Sequence, residues 1–239
     1  MPHRRACDLT VADRAEIIRQ SELADGLDEA MVERLAAAAT AIDFRRRRFV
    51  YRDGDPNDAL YLIARGRVKL CRSEPETGRE AVIDILPTGT LFGEFALFGL
   101  GDRQMCAIAF EQARLLRIPV GDFKEAMNQS RTLYDYTFRL VGQRLARAEQ
   151  RIADFALDAI PARLEKLLQE LSERYGQPGR DGGVLIDLNL PHREIASLVG
   201  STRESVTVRL NDMRRAGMID FVDRKILLKP PPSAELVAV

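Results

Sequence analysis

The sequence predicts an α+β fold in three parts: a small closed β structure behind N-terminal helices, one long helix, and a helix-turn-helix head. Three observations predict it. Between Phe44 and Pro119, short apolar runs are cut by Gly-containing turns at a spacing that suits an all-β unit and not βαβ repeats. From Leu133 to Ala159, apolar residues recur at steps of three and four, with no Pro and a single Gly, Gly142. Finally, the run PHREIASLVGSTRESVTVRLNDMRRAG, Pro191 to Gly217, places Ala196, Gly200 and Val206 at relative positions 5, 9 and 15 of a helix-turn-helix.

The 239 residues suffice for more than one core, and the expected parts are residues 1–129, 130–158 and 159–239. The 36 Lys and Arg balance the 36 Asp and Glu, so affinity for nucleic acid must come from a local patch. Three Cys (Cys7, Cys71, Cys106) and two His (His3, His192) are scattered without a C-x-x-C pair, which argues against a disulfide framework or a structural zinc site. No apolar run approaches membrane-spanning length and the N-terminus lacks a signal-peptide core, so a cytoplasmic protein without membrane contact is expected. There is no nucleophile motif and no phosphate-binding glycine loop followed by Lys, so an enzyme is not expected.

Residues 12 to 41 read as helical, with Ser21 before a short amphipathic piece and Asp28 leading into EAMVERLAAAATAI. The strands that follow are expected at Phe49–Arg52, Ala59–Ala64, Arg67–Arg72, Ala81–Leu86, Met105–Phe110 and Arg114–Ile118. Arg45 to Arg48 look like a basic motif, but at strand spacing they divide between two faces and read as a solvated edge.

Within this region Tyr51-Arg52-Asp53-Gly54-Asp55, Leu60-Tyr61-Leu62-Ile63 and Gly66-Arg67-Val68-Lys69-Leu70 resemble the opening of a cyclic-nucleotide-binding domain, a double-stranded β-helix (β-roll). Leu91 to Phe98 resembles its pocket segment, and Arg103 follows nine residues after Glu94. The chemistry suits a small anion. Gly93 lets a ligand approach the backbone, Arg103 and free N–H groups hold an anionic group, and Glu94 accepts from ribose hydroxyls. Two departures stand out: cyclic-AMP-binding relatives have Ser or Thr where this chain has Gln104, and a hydroxyl pair where its long helix reads Arg144-Leu145-Ala146-Arg147-Ala148. Arginines on both roll and helix are similar to relatives that sense 2-oxoglutarate. The effector set implied is Phe92, Gly93, Glu94, Phe95, Ala96, Arg103, Gln104, Arg144 and Arg147. The ligand implied is a cyclic nucleotide or a 2-oxoglutarate-like anion.

In the long helix, Tyr134, Phe138, Val141, Leu145, Ala148, Ile152, Phe155 and Ala159 form a heptad seam, while Leu133, Tyr136 and Leu140 give a second apolar side. Two apolar sides call for two burials, one in the helix's own domain and one against the same helix of a second chain, and the residues from Tyr134 to Phe155 are the expected dimer interface.

Pro161 marks the start of a further helix through Tyr175, followed by a loop over 176–183 and a strand at Val184–Leu190. In the head, Ser201-Thr202-Arg203-Glu204 has the form of a capping box that starts the second helix after Ser201. Val206, Leu210 and Met213 face inward; Glu204, Thr207, Val208, Asn211 and Arg215 face outward. Arg203 suits guanine, Glu204 cytosine and Val208 a thymine methyl. The expected DNA contacts are Arg193, Ser201, Thr202, Arg203, Glu204, Thr207, Val208, Arg209 and Asn211. Met218–Val222 and Ile226–Lys229, joined by Asp223-Arg224-Lys225, read as a wing, and His192 to Lys229 carries eight Lys and Arg against five Asp and Glu.

Nearly the whole chain resembles the CRP/FNR superfamily of bacterial transcription regulators: β-roll, long dimerisation helix and winged helix-turn-helix. The resemblance implies a homodimer on a palindrome whose half-site is related to TGTGA, altered where Val208 replaces an Arg of the catabolite-activator branch, and contact with RNA polymerase. Cys7 alone cannot supply the cluster of the oxygen-sensing branch, so no iron–sulfur centre is implied. Haem, which would need His3, Cys71 or Cys106 as an axial ligand, is not expected. The alternatives are a constitutive regulator with a ligand-free roll, or a regulatory module of an enzyme system.

Overall fold

The structure, a computed structural model of the single chain, describes residues 4–6, 9–74 and 80–230. Two compact units divide it, residues 1–148 and 149–239.

The first unit opens with strand β1 (Arg4–Ala6), helix α1 (Val11–Arg19), a 3-10 turn (Glu22–Gly26) and α2 (Glu29–Ala38). Each helical piece starts on a polar cap. Thr10 and Asp13 form a reciprocal capping box, Ser21 caps the 3-10 turn, and Asp28 accepts from the Met31 N–H at 2.8 Å. Strands β2 (Thr40–Phe44), β3 (Phe49–Tyr51), β4 (Ala59–Arg65), β5 (Val68–Ser73), β6 (Glu80–Leu86), β7 (Leu91–Phe92), β8 (Cys106–Ala109) and β9 (Ala113–Pro119) then build two antiparallel sheets. One has the order β1-β2-β9-β4-β7, the other β3-β8-β5-β6.

Alternation along β4 explains its uninterrupted apolar run. Tyr61 and Ile63 pack between the sheets with Phe44, Val50, Leu70, Phe92 and Leu115. Leu60 and Leu62 point the other way, into a second core with Ile18, Leu35, Leu116, Phe123, Leu133 and Tyr136. Both faces of the five-stranded sheet are therefore buried, and truncating a residue such as Leu35 to Ala costs about 2–5 kcal/mol. Helices α3 (Val120–Gln129) and α4 (Arg131–Leu157) follow, with the Ser130 hydroxyl accepting from the Leu133 N–H at 3.1 Å.

Helix α4 sorts its two apolar sides as the periodicity requires. Leu133, Tyr136 and Leu140 are buried, whereas Phe138 is 72% and Ile152 68% exposed. Tyr134 and Leu145 are exposed too, as is Ala148, with Val141 half-buried. The helix ends at Leu157, so Ala159 lies outside it, as the N-cap of the next.

Three expectations for this unit are corrected. The helical reading through residue 41 overshoots: α2 stops at Ala38, and Thr40–Phe44 is a strand paired over its whole length with β9. The Ala run at residues 36–39 favours helix and carries that reading onward, but Thr40, Ile42 and Phe44 suit a strand and pairing with β9 ends the helix. Arg45 to Arg48 are not a strand edge; they are the exposed turn between β2 and β3. Leu91–Phe92 forms a short strand against β4.

The second unit holds the end of α4, α5 (Ile160–Tyr175) and a four-stranded sheet of residues 176–178, 184–186, 225–228 and 219–222 in that order, with α6 (His192–Val199) and α7 (Arg203–Arg215) beside it. Pro161 sits in the first turn of α5, where its missing N–H costs nothing, and Leu164, Leu167, Leu168 and Leu171 are buried. The stretch expected as a loop contains β10 (Gly176–Pro178) and a 3-10 turn (Arg180–Gly182). The expected strand to Leu190 shortens to β11 (Val184–Ile186). The wing is β12 (Ile219–Val222) and β13 (Lys225–Leu228), turned by Asp223 and Arg224, both at positive φ.

Candidate functional site

In the first unit, β7 ends at Phe92 and the chain turns at Gly93, whose φ of 85° is left-handed. A Cβ there would stand 2.9 Å from Arg103 Nη1 and 3.3 Å from the Ala59 carbonyl oxygen, so only Gly fits. The Arg103 loop is strapped to the β3–β4 turn: its N–H donates to Asp55 O at 2.9 Å and its carbonyl accepts from Gly54 N–H at 2.8 Å.

This places the Arg103 guanidinium in the interior at 4% exposure. It donates to Gly93 O at 3.2 Å and to Ala59 O, and lies 4.2 Å over the Tyr51 ring and 5.8 Å from that of Tyr61. Tyr51, Tyr61 and Phe92 form a mutual ring cluster with centroids 5.4 to 6.1 Å apart. Arg103 Nε is buried without a partner, and no carboxylate pairs with this cation among the described residues. Carbonyl dipoles and a π-face offset only part of the cost of burying a charge. The Tyr51 hydroxyl, sunk in the same interior, has its pKa driven up by burial.

Glu94, 3% exposed, accepts from Arg144 Nη1, while Arg144 Nη2 donates to Leu91 O at 2.7 Å. The side chain from α4 thus reaches the first residues after β7. Glu94 and Arg144 pair with each other, which leaves Arg103 as a buried cation with no paired carboxylate among the described residues. Of the other expected effector residues, Phe92 and Ala96 are buried and Phe95 is partly exposed. Gln104 is exposed, its amide 3.5 Å from Leu100 O, and Arg147 is exposed on α4. Sequence reasoning missed Tyr51 and Tyr61 as the platform beneath Arg103; their signal was an aromatic residue on each of two consecutive strands, which the fold places in opposite sheets facing one core. Cys71 and Cys106 face each other across β5 and β8, both buried, and burial pushes the Cys71 thiol up to about 12. His3 and Cys7 lie outside the described residues.

In the second unit the helix-turn-helix has the geometry its motif requires. Ala196 is buried where α6 meets α7, Gly200 takes φ 63°, and Val206 and Leu210 are fully buried. Met213 is only half-buried. The expected capping box is corrected: the N-cap is Thr202, whose hydroxyl accepts from the Ser205 N–H at 3.2 Å, and Ser201 Oγ is buried without a partner. Glu204 is therefore released from capping and stands exposed, as do Arg203, Arg209, Asn211 and Arg215. Val208 is 58% exposed. Arg193, also exposed, lies 3.4 Å from Glu194.

Thr207 is only partly available. Its single hydroxyl proton goes to Arg203 O at 2.8 Å, so it accepts from the Nδ1–H of His192 at 2.8 Å. Burial, and then the nearby Arg203 charge, lowers the His192 pKa. Phe155, expected in the heptad seam, also packs on the motif's turn: a Cβ on Gly200 would sit 2.7 Å from its Cε1. Arg163 lies 5.0 Å over the same ring. Beside it Lys166 bridges Asp154 at 2.7 Å and Asp158 at 2.6 Å.

Two family models match the chain: "Cyclic nucleotide-binding domain" over residues 41–130 and "Crp-like helix-turn-helix domain" over residues 162–232. A CRP-like cAMP-activated global transcriptional regulator of Mycobacterium tuberculosis is 29% identical over 214 residues, 89% of this chain and 94% of that one. A global nitrogen regulator of a Nostoc species is 33% identical over 190 residues, 79% and 84% of the two chains. Among solved structures, a CRP/FNR-family transcriptional regulator of Thermus thermophilus matches with a TM-score of 0.64 at 30% identity, over 80% of this chain and 93% of that one.

Proposed function

This chain belongs to the CRP/FNR family of transcription regulators, and we propose that it works as a homodimer switched by a small anionic effector. Its relatives are regulators and not enzymes, and the Crp-like head is a DNA-binding module.

The observation that carries the effector reading is Arg103: a buried cation with an unpartnered Nε and no carboxylate paired with it among the described residues. An oxyanion on that guanidinium supplies the missing counter-charge through charge-assisted hydrogen bonds. The phosphate of a cyclic nucleotide or a carboxylate of a 2-oxoglutarate-like diacid both fit this chemistry. Arg144 then reads occupancy, because a ligand that engages Glu94 or adds negative charge beside it changes the contact by which α4 is held. The effector controls DNA affinity to the extent that it binds the DNA-competent state more tightly than the other.

The exposed seam of Tyr134, Phe138, Val141, Leu145, Ala148 and Ile152 supports pairing of two α4 helices. A two-fold dimer reads a palindrome with half-sites about one helical turn apart. Arg203, Glu204 and Val208 supply base contacts to a half-site related to TGTGA, with Arg193, Thr202, Arg209 and Asn211 around them. Productive binding presents the protein to RNA polymerase.

Fluorescence anisotropy on a TGTGA-type palindrome at fixed salt, with and without cyclic AMP, cyclic GMP or 2-oxoglutarate, tests this. One ligand is expected to tighten binding tenfold, about 1.4 kcal/mol of coupling, and Arg103→Ala to lose that gain. A second reading rests on Glu94 being already satisfied by Arg144: the roll is a ligand-free scaffold and activity is constitutive. Tight binding, identical in every condition, selects that reading.

A further inference from the structure

The cysteines are scattered along the sequence, yet the fold brings two of them face to face. Cys71 on β5 and Cys106 on β8 are directly opposed partners of an antiparallel ladder, so their side chains leave the same face of the sheet. Their chain neighbours Leu70 and Ala107 point the other way, into the core that holds Tyr61 and Phe92. Cys71 is fully buried and Cys106 is 5% exposed. Directly opposed residues hold their Cα atoms about 4.5 or 5.5 Å apart, and a disulfide asks for roughly 4.4–6.8 Å. A bond between the two sulfurs therefore needs side-chain rotation and no shift of the strands.

The surroundings set how the pair behaves. Glu80 accepts from the Lys69 ammonium and from the Cys71 thiol. Burial, and then the Glu80 charge, keep that thiol protonated and slow to react. The pair also sits at a telling place in the chain. Cys106 is the third residue after Arg103, and the adjacent Ala107 pairs with Tyr51, whose ring lies under the Arg103 guanidinium. The chain from Cys71 to Cys106 contains Gly93, Glu94 and Arg103, so a bond between its ends would tie off the whole pocket segment.

We propose that Cys71 and Cys106 are a redox site, a buried dithiol that a peroxide converts into a cross-strand disulfide stapling β5 to β8 beside the Arg103 loop. The step balances with hydrogen peroxide as oxidant. The sulfur of Cys106, the more exposed of the two, takes one peroxide oxygen as a sulfenic acid while the O–O bond breaks and the other oxygen leaves as water. The sulfur of Cys71 then displaces that hydroxyl, which leaves with the Cys71 proton as a second water as the S–S bond forms. Two thiols and one peroxide give one disulfide and two waters, and the dithiol gives up two electrons. Alanine or valine would fill this face as well. What opposed sulfurs add is a bond that can be made and broken without a change of register.

The test uses full-length Cys7→Ser protein, whose remaining thiols are the opposed pair. It is treated with hydrogen peroxide under native conditions, denatured, blocked at its free thiols and mapped by mass spectrometry. Both thiols are expected to be lost into one linkage that joins Cys71 to Cys106 within a chain, and to return with dithiothreitol. Oxidation is expected to raise the melting temperature by several degrees, because the bond restricts the unfolded chain. The N–H groups of Arg103 and Gly54, which bond across the loop to Asp55 O and Arg103 O, are expected to exchange with solvent about tenfold more slowly. Cys71→Ala and Cys106→Ala should each abolish the linkage and both shifts. Thiols that stay free in the folded protein, or a linkage that forms only between chains or only after unfolding, overturn the proposal. Equal exchange at Arg103 and Gly54 in the reduced and oxidised protein overturns the staple's tie to the Arg103 loop. None of these readouts requires an effector or DNA, so the proposal stands or falls apart from the reading of either.

Discussion

Arg144 reaches from α4 to the buried carboxylate of Glu94, fifty residues earlier in the chain, and with its second nitrogen to the Leu91 carbonyl. One side chain thereby ties the long helix to the end of β7, beside the cation of Arg103. Removing only one member of a buried pair leaves the other charged and unsatisfied. Arg144→Met is therefore expected to cost about 3–5 kcal/mol in denaturant unfolding, with most of it returned when Glu94→Met is added. A simple sum of the two losses would show that the pair is not what holds this part of α4.

Phe155 and Gly200 make a second coupled pair, on the turn of the helix-turn-helix. Gly200→Ala is strained twice: by its left-handed φ and by a Cβ 2.7 Å from the Phe155 ring. Phe155→Ala is expected to relieve the second strain and not the first. The double variant should then melt above Gly200→Ala alone but below Phe155→Ala alone, a non-additivity that thermal unfolding reads directly.

His192 gives the head a pH dependence of defined sign. Its folded pKa lies below the ordinary 6.5, so the unfolded chain binds more protons across that interval. The contribution to stability is complete above about 6.5 and is lost as pH falls through that value toward the folded pKa. Stability of the second unit measured between about pH 7 and 5 is expected to fall, and His192→Gln to flatten the profile.

The exposed side of α4 predicts oligomeric behaviour. Charging it at Phe138 or Leu145, both exposed and so harmless to the chain's own core, is expected to yield a folded monomer by sedimentation, with loss of palindrome binding. A Phe138→Lys protein that still sediments as a dimer would remove α4 as the interface.

Much of this architecture was legible in local patterns. The two sides of α4, the Ala196–Gly200–Val206 spacing and the wing are all written within one element or one turn. What escaped depended on distant partners. Thr40–Phe44 reads as the tail of an Ala-rich helix until β9 arrives to pair with it, and Gly176–Pro178 reads as a loop until β11 does. The roll site was half legible. Gly93, Glu94 and Arg103 are marked by the resemblance of their segment to a cyclic-nucleotide-binding pocket, but the closing of Arg144 on Glu94 and the Tyr51–Tyr61 platform under Arg103 exist only once strands and helix are assembled. Thr202 displaced Ser201 as the cap because two adjacent hydroxyls offered the same hydrogen bond, a choice that sequence spacing does not make.

The two-sided helix α4 also constrains how the sequence can change in length. Buried Leu133, Tyr136 and Leu140 set its rotational phase against the roll, and Arg144 fixes that phase again one turn later. One inserted residue after Leu140 would turn everything beyond it by about 100°, carrying Arg144 away from Glu94 and swinging Leu145 and Ala148 off the line of Tyr134 and Phe138. Seven inserted residues nearly restore the angle but move Arg144 about 10 Å along the axis. Point substitutions on the solvated stripe between those faces are tolerable, whereas insertions and deletions are not. Among functional relatives, variation in length should fall in the loops, with this segment of α4 constant in residue count.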